Sequence, residues 1–253
     1  MDLKNLKQNW DSLGREDPMW AILSDPAQRG NKWDEEAFFQ TGRVHVAAAV
    51  DRMKALSVEP GWSRALDFGC GLGRLSQALA DHFDTVDGVD IAPSMIDGAR
   101  RFNRFGKRVT YHVNDQDDLR LFDDDSFDFV MSLIVLQHMP NRYKTSYIKE
   151  FLRILKPGGV VTFTIPSHVV LSTPLGLAYA VVPNRALNVY RKRHYGYEGV
   201  IELHPMRRKE VEATVVAAGA RLVAADREPL AGDCWRSFQY IVVKPTTASR
   251  QAT

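Results

Sequence analysis

One short segment constrains the fold of this chain more than any other: residues 66–73 read Leu-Asp-Phe-Gly-Cys-Gly-Leu-Gly, and Asp90 follows Gly71 by 19 positions. The apolar run over 64–68 predicts a buried strand that leads into the glycines. Because glycine has no Cβ, the backbone can turn sharply there and approach a ligand closely. A second predicted strand over 85–89 brings Asp90 to the carboxyl edge of the same sheet, where ligands of open α/β sheets bind. A carboxylate at that edge can accept hydrogen bonds from the hydroxyls of a ribose.

The spacing of the glycines separates two kinds of nucleotide site. The pattern G-x-G-x-x-G is typical of turns that bind dinucleotides, whereas this chain has G-x-G-x-G with Asp67 two residues before the first glycine. With no pyrophosphate to bind, the Asp67 carboxylate would face a cationic or amine-bearing group. The loop therefore favours another nucleoside ligand over NAD, and a nicotinamide dehydrogenase is the less favoured enzyme alternative.

Strands and helices alternate along the chain, which predicts a parallel sheet with right-handed crossovers. The predicted strands are 64–68, 85–89, 108–113, 127–132, 159–165, 220–227 and 235–243, and the helices among them are 74–83, 93–104, 143–155 and 207–218.

Five ordered motifs over residues 64–165 resemble those of the class I S-adenosylmethionine (SAM)-dependent methyltransferases. After the glycine loop they lie at 88–95, 114–119, 125–132 and 155–159. The resemblance implies an α/β fold with a doubly wound, Rossmann-like sheet of seven strands, of which the last is antiparallel. It also implies an N-terminal helical cover and a helical insertion after the fifth strand.

The resemblance assigns the adenosine end of the cofactor to the second and third strand ends. Asp90 is assigned to the ribose, and Ile91 is expected to pack on the adenine face. Asp115 is assigned to the adenine amine, with the Gln116 backbone beside it.

The methionine end is assigned to the glycine turn, which comprises Gly69, Cys70 and Gly71. Asp67 is expected to hold the ammonium group directly or through water, and Arg43 to reach the carboxylate. The chain has only two cysteines, which make no disulfide framework, so we interpret Cys70 as a small residue that fills a tight turn rather than as a nucleophile.

Methyl transfer is an in-line displacement for which a protein supplies alignment and desolvation. A hydroxyl acceptor also gains from proton removal, which is typically worth ~10²- to 10⁴-fold in rate. His138, after the fourth predicted strand, is the first candidate base, and a packing role is its alternative. His204 is the second candidate, with Glu202 as its orienting partner. His168, directly after the fifth predicted strand, is expected to line the substrate site.

The flanking segments predict the rest of the organisation. Residues 1–60 are rich in aromatics and form the expected helical cover, with a helix over 34–56 that Asp34 can cap. Residues 61–245 form the expected SAM-binding domain, including a substrate-lid insertion at 167–204, and 246–253 a disordered tail. Within the insertion, Tyr195 and Tyr197 are placed to stack on a sugar ring, and the basic residues between tyrosines could instead meet an acidic substrate or water.

The favoured function is O-methylation of a small molecule, with a sugar or oligosaccharide as the preferred acceptor. The principal alternative is C-methylation of a lipid or quinone-like acceptor, for which the apolar stretch over 171–182 is a candidate binding segment. A non-catalytic cofactor binder is a further alternative. A nucleic-acid methyltransferase is disfavoured, because the fourth strand ends in Ser132-Leu-Ile-Val rather than Asn/Asp-Pro-Pro-Tyr and the net charge is only +2.

Composition sets further limits. The 253 residues suffice for one domain with an elaboration, and no run approaches the ~18 apolar residues of a membrane span. The N-terminus has no apolar signal core, so we expect a cytoplasmic protein without stable membrane insertion. No Cys/His cluster has zinc-like spacing, while Mg²⁺ remains open as an additional cofactor. The oligomeric state does not follow from the sequence.

Overall fold

The structure, a computed structural model, describes residues 2–182, 186, 187, 189, 193 and 201–246. Within them, a seven-stranded sheet has the order β3-β2-β1-β4-β5-β7-β6. The strands are β1 (Arg64–Phe68), β2 (Thr85–Asp90), β3 (Val109–Val113), β4 (Phe127–Ser132), β5 (Leu155–Val169), β6 (Arg221–Glu228) and β7 (Trp235–Val243). The first five strands run parallel, and β7 lies antiparallel between β5 and β6. The doubly wound sheet with an antiparallel last strand is thus confirmed.

Helices cover both faces of the sheet and precede its first strand. They are α1 (Leu3–Glu16), α2 (Pro18–Ile22), α3 (Glu35–Ala55), α4 (Arg74–Leu79), α5 (Pro93–Phe102), α6 (Asn141–Ile154), α7 (Pro174–Val181) and α8 (Arg208–Ala217). The Asp34 side chain accepts a hydrogen bond from the Ala37 backbone N–H at 2.8 Å and caps α3 as predicted.

The largest boundary difference concerns β5, which begins at Leu155 and ends at Val169 instead of covering 159–165. Its pairing with β7 extends from Val160 opposite Val243 to Val169 opposite Trp235. His168 therefore lies within the strand rather than after it. Because β5 is extended by pairing with a segment distant in sequence, no local pattern marks its full length, and the predicted strand was too short.

Two apolar clusters hold the sheet between its helices. On one face, Phe151 of α6 and Val215 of α8 pack with strand residues such as Phe163. On the other, Val46 of α3 and Leu79 of α4 pack with strand residues such as Phe129. A parallel sheet buried on both faces in this way presents its carboxyl edge as the open place for a ligand.

The N-terminal helix α1 is fixed on α5 beside that edge. Ser94 donates two hydrogen bonds to Asp11, from its backbone N–H to Oδ1 at 2.8 Å and from its hydroxyl to the backbone oxygen at 3.0 Å. A Cβ at Gly14 would lie 2.5 Å from the Ser94 hydroxyl oxygen, so the two helices are in close contact.

Candidate cofactor and active site

The glycine turn between β1 and α4 has a backbone that other residues adopt only with strain. Gly69, Gly71 and Gly73 have φ of 76°, 52° and 80°. A Cβ at Gly69 would lie 2.3 Å from a methyl carbon of Val135. The turn is therefore glycine-rich both for its left-handed conformation and for close approach to the segment after β4.

Asp90, at the end of β2, faces this turn. Its Oδ2 accepts the Gly71 backbone N–H and its Oδ1 accepts the Ala92 backbone N–H, both at 2.9 Å. Burial raises the pKa of Asp90, and these backbone donors act in the opposite direction. Because a carboxylate has about four lone-pair sites and the two bonds above use two of them, acceptor capacity remains for a ligand.

A cavity opens at the carboxyl edge, and its empty space, which continues into open solvent at the mouth, is about 830 Å³. Of the residues predicted for the cofactor site, Gly69, Gly71, Asp90 and Ile91 line it, and so does His138, the first candidate base. The other lining residues come from α1 and α2 (Leu3, Leu6, Trp10, Ala21, Ile22), from β1, β2 and α4 (Phe68, Val89, Arg74), from α5 (Met95), from the β3 end (Asn114), from the segment after β4 (Leu133, Ile134, Val135, Met139) and from α6 (Tyr147).

Asp67 and Arg74 bracket the glycine turn and are both buried, at 0% and 3% exposure. The Asp67 Oδ2 accepts the Ser76 hydroxyl at 2.6 Å, while its Oδ1 has no partner among the described residues. Burial raises the pKa of Asp67 to about 6, opposed by the Ser76 hydrogen bond and by the charge of Arg74. A buried carboxylate oxygen without a partner is costly, so this atom is a candidate contact for a bound cation.

Arg74 is the charged group that sequence reasoning missed. Its Nη1 donates to the Thr41 hydroxyl at 3.2 Å and to His45 Nδ1 at 2.8 Å. Its Nε has no partner among the described residues, and the side chain lines the cavity. Burial lowers the pKa of Arg74 to about 10, so it remains charged at neutral pH. The available signal was its position directly after the third glycine.

At the end of β3, the side chain at the cavity is Asn114 rather than the predicted Asp115. Asn114 is buried, and its amide donates to the Asp118 backbone oxygen at 2.8 Å. Asp115 is exposed and forms an ion pair with Lys7 of α1 at 2.8 Å. The exposed Gln116 side chain donates to Asp115 at 2.7 Å. Neither of these two residues is among those that line the cavity.

His138 lies in the turn after β4, 8% exposed, with its ring 5.0 Å from that of Trp10. Its Nδ1 lies 2.8 Å from the Glu202 backbone oxygen. Because a carbonyl only accepts, Nδ1 carries the proton and Nε2 keeps a lone pair, 3.2 Å from the Gln137 amide nitrogen. Burial lowers the pKa of His138 to about 4, opposed by the carbonyls of Glu202 and Ile134. The ring is thus neutral at neutral pH.

The other candidate histidines lie outside the cavity wall. His204 is half-buried, and its Nε2 lies 3.3 Å from the Glu202 Oε2, within ion-pair distance, while this nitrogen makes no hydrogen bond among the described residues. The Glu202 backbone also reaches His138, which places this pair directly behind the first candidate base. His168 is exposed on β5, with its Nδ1 3.2 Å from the Ser167 hydroxyl.

Three further predicted residues, Asp67, Arg43 and Cys70, are not among those that line the cavity. Arg43 is exposed and forms an ion pair with Glu36. Cys70 is buried and is not a lining residue, and burial raises the pKa of its thiol, which keeps it protonated. Tyr195 and Tyr197 lie outside the described residues.

Ile134 shows that the segment after β4 is strained. Its φ is 64°, a left-handed conformation that a β-branched residue adopts at a cost of about 1–3 kcal/mol. Its backbone N–H donates to the Thr164 hydroxyl at 2.9 Å, and its side chain lines the cavity. Nothing in the sequence pattern indicates this strain.

Among the described residues, no group of three or more His, Cys, Asp or Glu side chains is arranged to hold a metal ion. Of the helices in the described ranges, none combines the length and the apolar character needed to cross a bilayer.

Fold and sequence together define a class I methyltransferase domain. Residues 65–159 match the methyltransferase-domain family, and the seven-stranded sheet around them has the strand order described above. The resemblance carried by the five motifs is thereby confirmed for the domain.

The chain is 35% identical over 126 residues to the ubiquinone biosynthesis O-methyltransferase of Xanthomonas axonopodis pv. citri. The match covers 49% of this chain and 50% of that protein, so the chain spans about half the length of the curated relatives it matches. Two solved structures share the fold. Magnesium protoporphyrin IX methyltransferase from Synechocystis, with bound SAH, gives a TM-score of 0.63 at 19% identity over 96% of this chain and 100% of that one. A SAM-dependent methyltransferase from Leishmania major gives 0.62 at 15% identity over 96% and 86%.

Proposed function

We propose that this chain binds SAM at the carboxyl edge of the sheet and transfers a methyl group to a hydroxyl of a small molecule. The observation that carries the proposal is a pair of buried atoms in groups of opposite charge, Asp67 Oδ1 and Arg74 Nε, neither of which has a hydrogen-bond partner within the described ranges. They bracket the same turn, and an amino-acid end that bears one ammonium and one carboxylate is complementary to both. SAM has such an end and supplies an activated methyl group when bound.

The remaining cofactor contacts follow from the same edge. Asp90 would accept the ribose hydroxyls on the lone pairs that Gly71 and Ala92 leave free. Ile91 would pack on the adenine, and Asn114 is the polar side chain at the third strand end that lines the cavity. Arg74 takes the carboxylate in this proposal, because Arg43 is exposed and already paired.

His138 would act as the base for the acceptor hydroxyl. Sheet order places it across the glycine turn from Asp90, since β4 and β2 flank β1. An acceptor hydroxyl would replace the Gln137 amide at Nε2 and give its proton to that nitrogen. With a pKa of about 4, the ring is always available but weakly basic, so we expect a contribution at the lower end of the general-base range, about 10²-fold.

The walls near His138 favour an apolar acceptor. Leu6, Trp10 and Met139 line this part of the cavity and offer mainly carbon surface. The Xanthomonas relative is named for ubiquinone biosynthesis, whereas the sugar acceptor favoured by sequence finds no counterpart among the relatives reported above. A phenolic or quinol-like hydroxyl is therefore the proposed acceptor. C-methylation of a quinone-like ring is the second candidate, since the same walls suit it.

The N-terminal cover and the residues after the insertion would exclude water in this proposal. Trp10 of α1 contacts His138, and the backbone of Glu202 holds the same ring from the other side. Desolvation around the reacting atoms strengthens their electrostatic interactions with the protein.

The test combines binding and product analysis. Calorimetry with S-adenosylhomocysteine (SAH) should show a saturable site, and the absence of binding to folded protein would reject the proposal. Turnover is then measured with ¹³C-methyl SAM against phenols, quinols, lipids and sugars. The carbon shift of the product methyl distinguishes attachment to oxygen from attachment to carbon, and a sugar product would reject the acceptor class.

A further inference from the structure

A fully buried lysine lies behind the candidate base. Lys144 of α6 has no exposed area, and its ammonium donates to Asn141 Oδ1 at 3.0 Å and to the His204 backbone oxygen. In the part of the chain that the structure describes, no carboxylate lies within ion-pair distance of this ammonium, and the Glu210 carboxylate, which acts on it from farther away, opposes the lowering of its pKa. Burial of an ammonium group costs several kcal/mol, and an apolar side chain of similar size often serves as well for stability. A role beyond packing is therefore expected of this residue.

The segment that Lys144 holds is also the one that holds His138. The His204 backbone N–H donates to the Gln137 backbone oxygen at 2.7 Å, and the His138 ring donates to the Glu202 backbone oxygen at 2.8 Å. The segment 202–204 is the donor in the first bond and the acceptor in the second. The Lys144 ammonium adds a third bond to the same three-residue stretch, from the side of α6.

We propose that Lys144 is a positioning residue that fixes the protonated nitrogen of His138 by holding the Glu202–His204 backbone. The inference rests on the proposed function, in which His138 must present a lone pair at Nε2. Lys144 itself does not line the cavity, so it acts through the backbone rather than on a substrate.

The alternative state of the ring is its other neutral tautomer. If the Glu202 carbonyl were released, Nδ1 would lose its acceptor, and the neutral ring could carry its proton on Nε2 instead. That form has no lone pair available to an acceptor hydroxyl. Burial lowers the pKa of Lys144 to about 7, but the amine donates N–H bonds in either protonation state.

The test is a spectroscopic measurement of the His138 ring in the full chain. Long-range ¹H–¹⁵N correlation spectra of ¹⁵N-histidine protein report which ring nitrogen is protonated, and His138→Gln identifies the signal among the 7 histidines. We expect wild type to show protonated Nδ1, and Lys144→Met to show protonated Nε2 or a mixture. Lys144→Arg, which keeps donors, should restore the wild-type form at least in part. Lys156→Met, which removes a lysine of β5 that is paired with Asp128 of β4, is the matched control and should show the wild-type ring signal.

Kinetics give the second readout. Lys144→Met should lower kcat by about tenfold or more while the KM for SAM stays within about twofold, because only proton removal is affected. A folded Lys144→Met protein whose His138 keeps protonated Nδ1 overturns the inference. Should that variant not fold, Lys144→Gln, too short to reach both acceptors, is judged by the same criterion. Failure of the proposed function would appear separately, as absent SAH binding or turnover in wild type.

Discussion

The Asp90 carboxylate accepts the backbone N–H of Gly71 at 2.9 Å, so the end of β2 fixes the glycine turn that follows β1. A second bond, from the Ala92 N–H, fixes the carboxylate itself. The residue assigned to the ribose therefore also maintains the shape of the loop assigned to the methionine end. The Asp90 side chain therefore holds the binding groups at the ends of both strands in place before a ligand binds.

Replacement of Asp90 should affect both folding and binding. Asp90→Ala removes the acceptor of two backbone N–H groups, and hydrogen bonds to charged groups contribute about 1.5–3 kcal/mol each. We expect a lower free energy of unfolding in denaturant titrations and at least about 100-fold weaker SAH binding by calorimetry. Asp97→Ala, at a highly exposed carboxylate of α5, is the control. Unchanged SAH affinity in folded Asp90→Ala would contradict the ribose assignment.

Two glycine substitutions separate conformational strain from close approach. Gly69→Ala and Gly106→Ala both place a side chain at positive φ, 76° and 56°. The new Cβ meets Val135 at 2.3 Å in the first case and no atom within 4 Å in the second. Gly106→Ala should cost only the backbone strain, about 1 kcal/mol. Gly69→Ala should lower the free energy of unfolding several times more, as measured by thermal unfolding, and should weaken SAH binding, as measured by calorimetry. If the two substitutions destabilised the protein equally, Val135 would have moved aside without cost.

Removal of the Arg74 guanidinium should weaken only ligands that carry an amino-acid end. For Arg74→Met we expect at least about tenfold weaker SAH binding, with little change for methylthioadenosine, which shares the adenosine but lacks the carboxylate. Arg43→Met, at the exposed arginine first predicted for this contact, should bind both ligands as wild type does. A parallel loss of both ligands in Arg74→Met would indicate a damaged site rather than a lost contact.

The buried Asp67 predicts a pH dependence with a definite sign. Its pKa of about 6 in the free protein should fall when an ammonium group binds beside it, so SAH affinity should be constant above pH 7 and decrease as the pH falls below about 6. Because the folded pKa exceeds the unfolded value, the contribution of Asp67 to stability is present below about pH 4 and is lost as the pH rises through about 6. Asp67→Asn should therefore raise the free energy of unfolding at pH 8, by no more than about 3 kcal/mol.

The same variant tests the binding role. Calorimetry between pH 5 and 8 should show that Asp67→Asn binds SAH more weakly and without the pH dependence below 6. If wild type and Asp67→Asn shared one pH profile, another group would be responsible.

His138→Gln should slow turnover by about 10²-fold and leave SAH affinity within about twofold. Since the pKa of the ring is about 4, protonation of His138 should reduce the wild-type rate only as the pH falls toward that value, and not between pH 6 and 8. Rates at saturating acceptor and the pH profile check both points. His82→Gln, at an exposed histidine, serves as the control. If the rate were unchanged in His138→Gln, the role of this histidine as a base would be rejected in favour of a packing role.

Local signals in the sequence predicted the core of the fold well. The bounds of β1, β4 and β7 are those expected from apolar runs, and the glycine turn lies where its spacing indicated. The predicted strand end at Asp90 also reaches the cavity. Each of these follows from residues within one segment and its neighbour.

Side chains that depend on distant segments were harder to predict. Asp115 follows the right strand, but its charge is taken up by Lys7 of a helix more than a hundred residues away. Arg43 lies on α3 and pairs along its own helix, whereas Arg74 enters the cavity from α4.

The sequence by itself determined the alternation of strands and helices, the glycine turn and the acidic strand end, because periodicity, absent Cβ atoms and strand order are local properties. Only the tertiary structure decided which charges are buried without partners and which ring nitrogen of His138 is free, because both depend on backbone groups brought together from distant positions. The Glu202 carbonyl reaches that histidine from 64 positions further along the chain, and Lys144 holds the same segment through the His204 carbonyl; no spacing rule connects these positions.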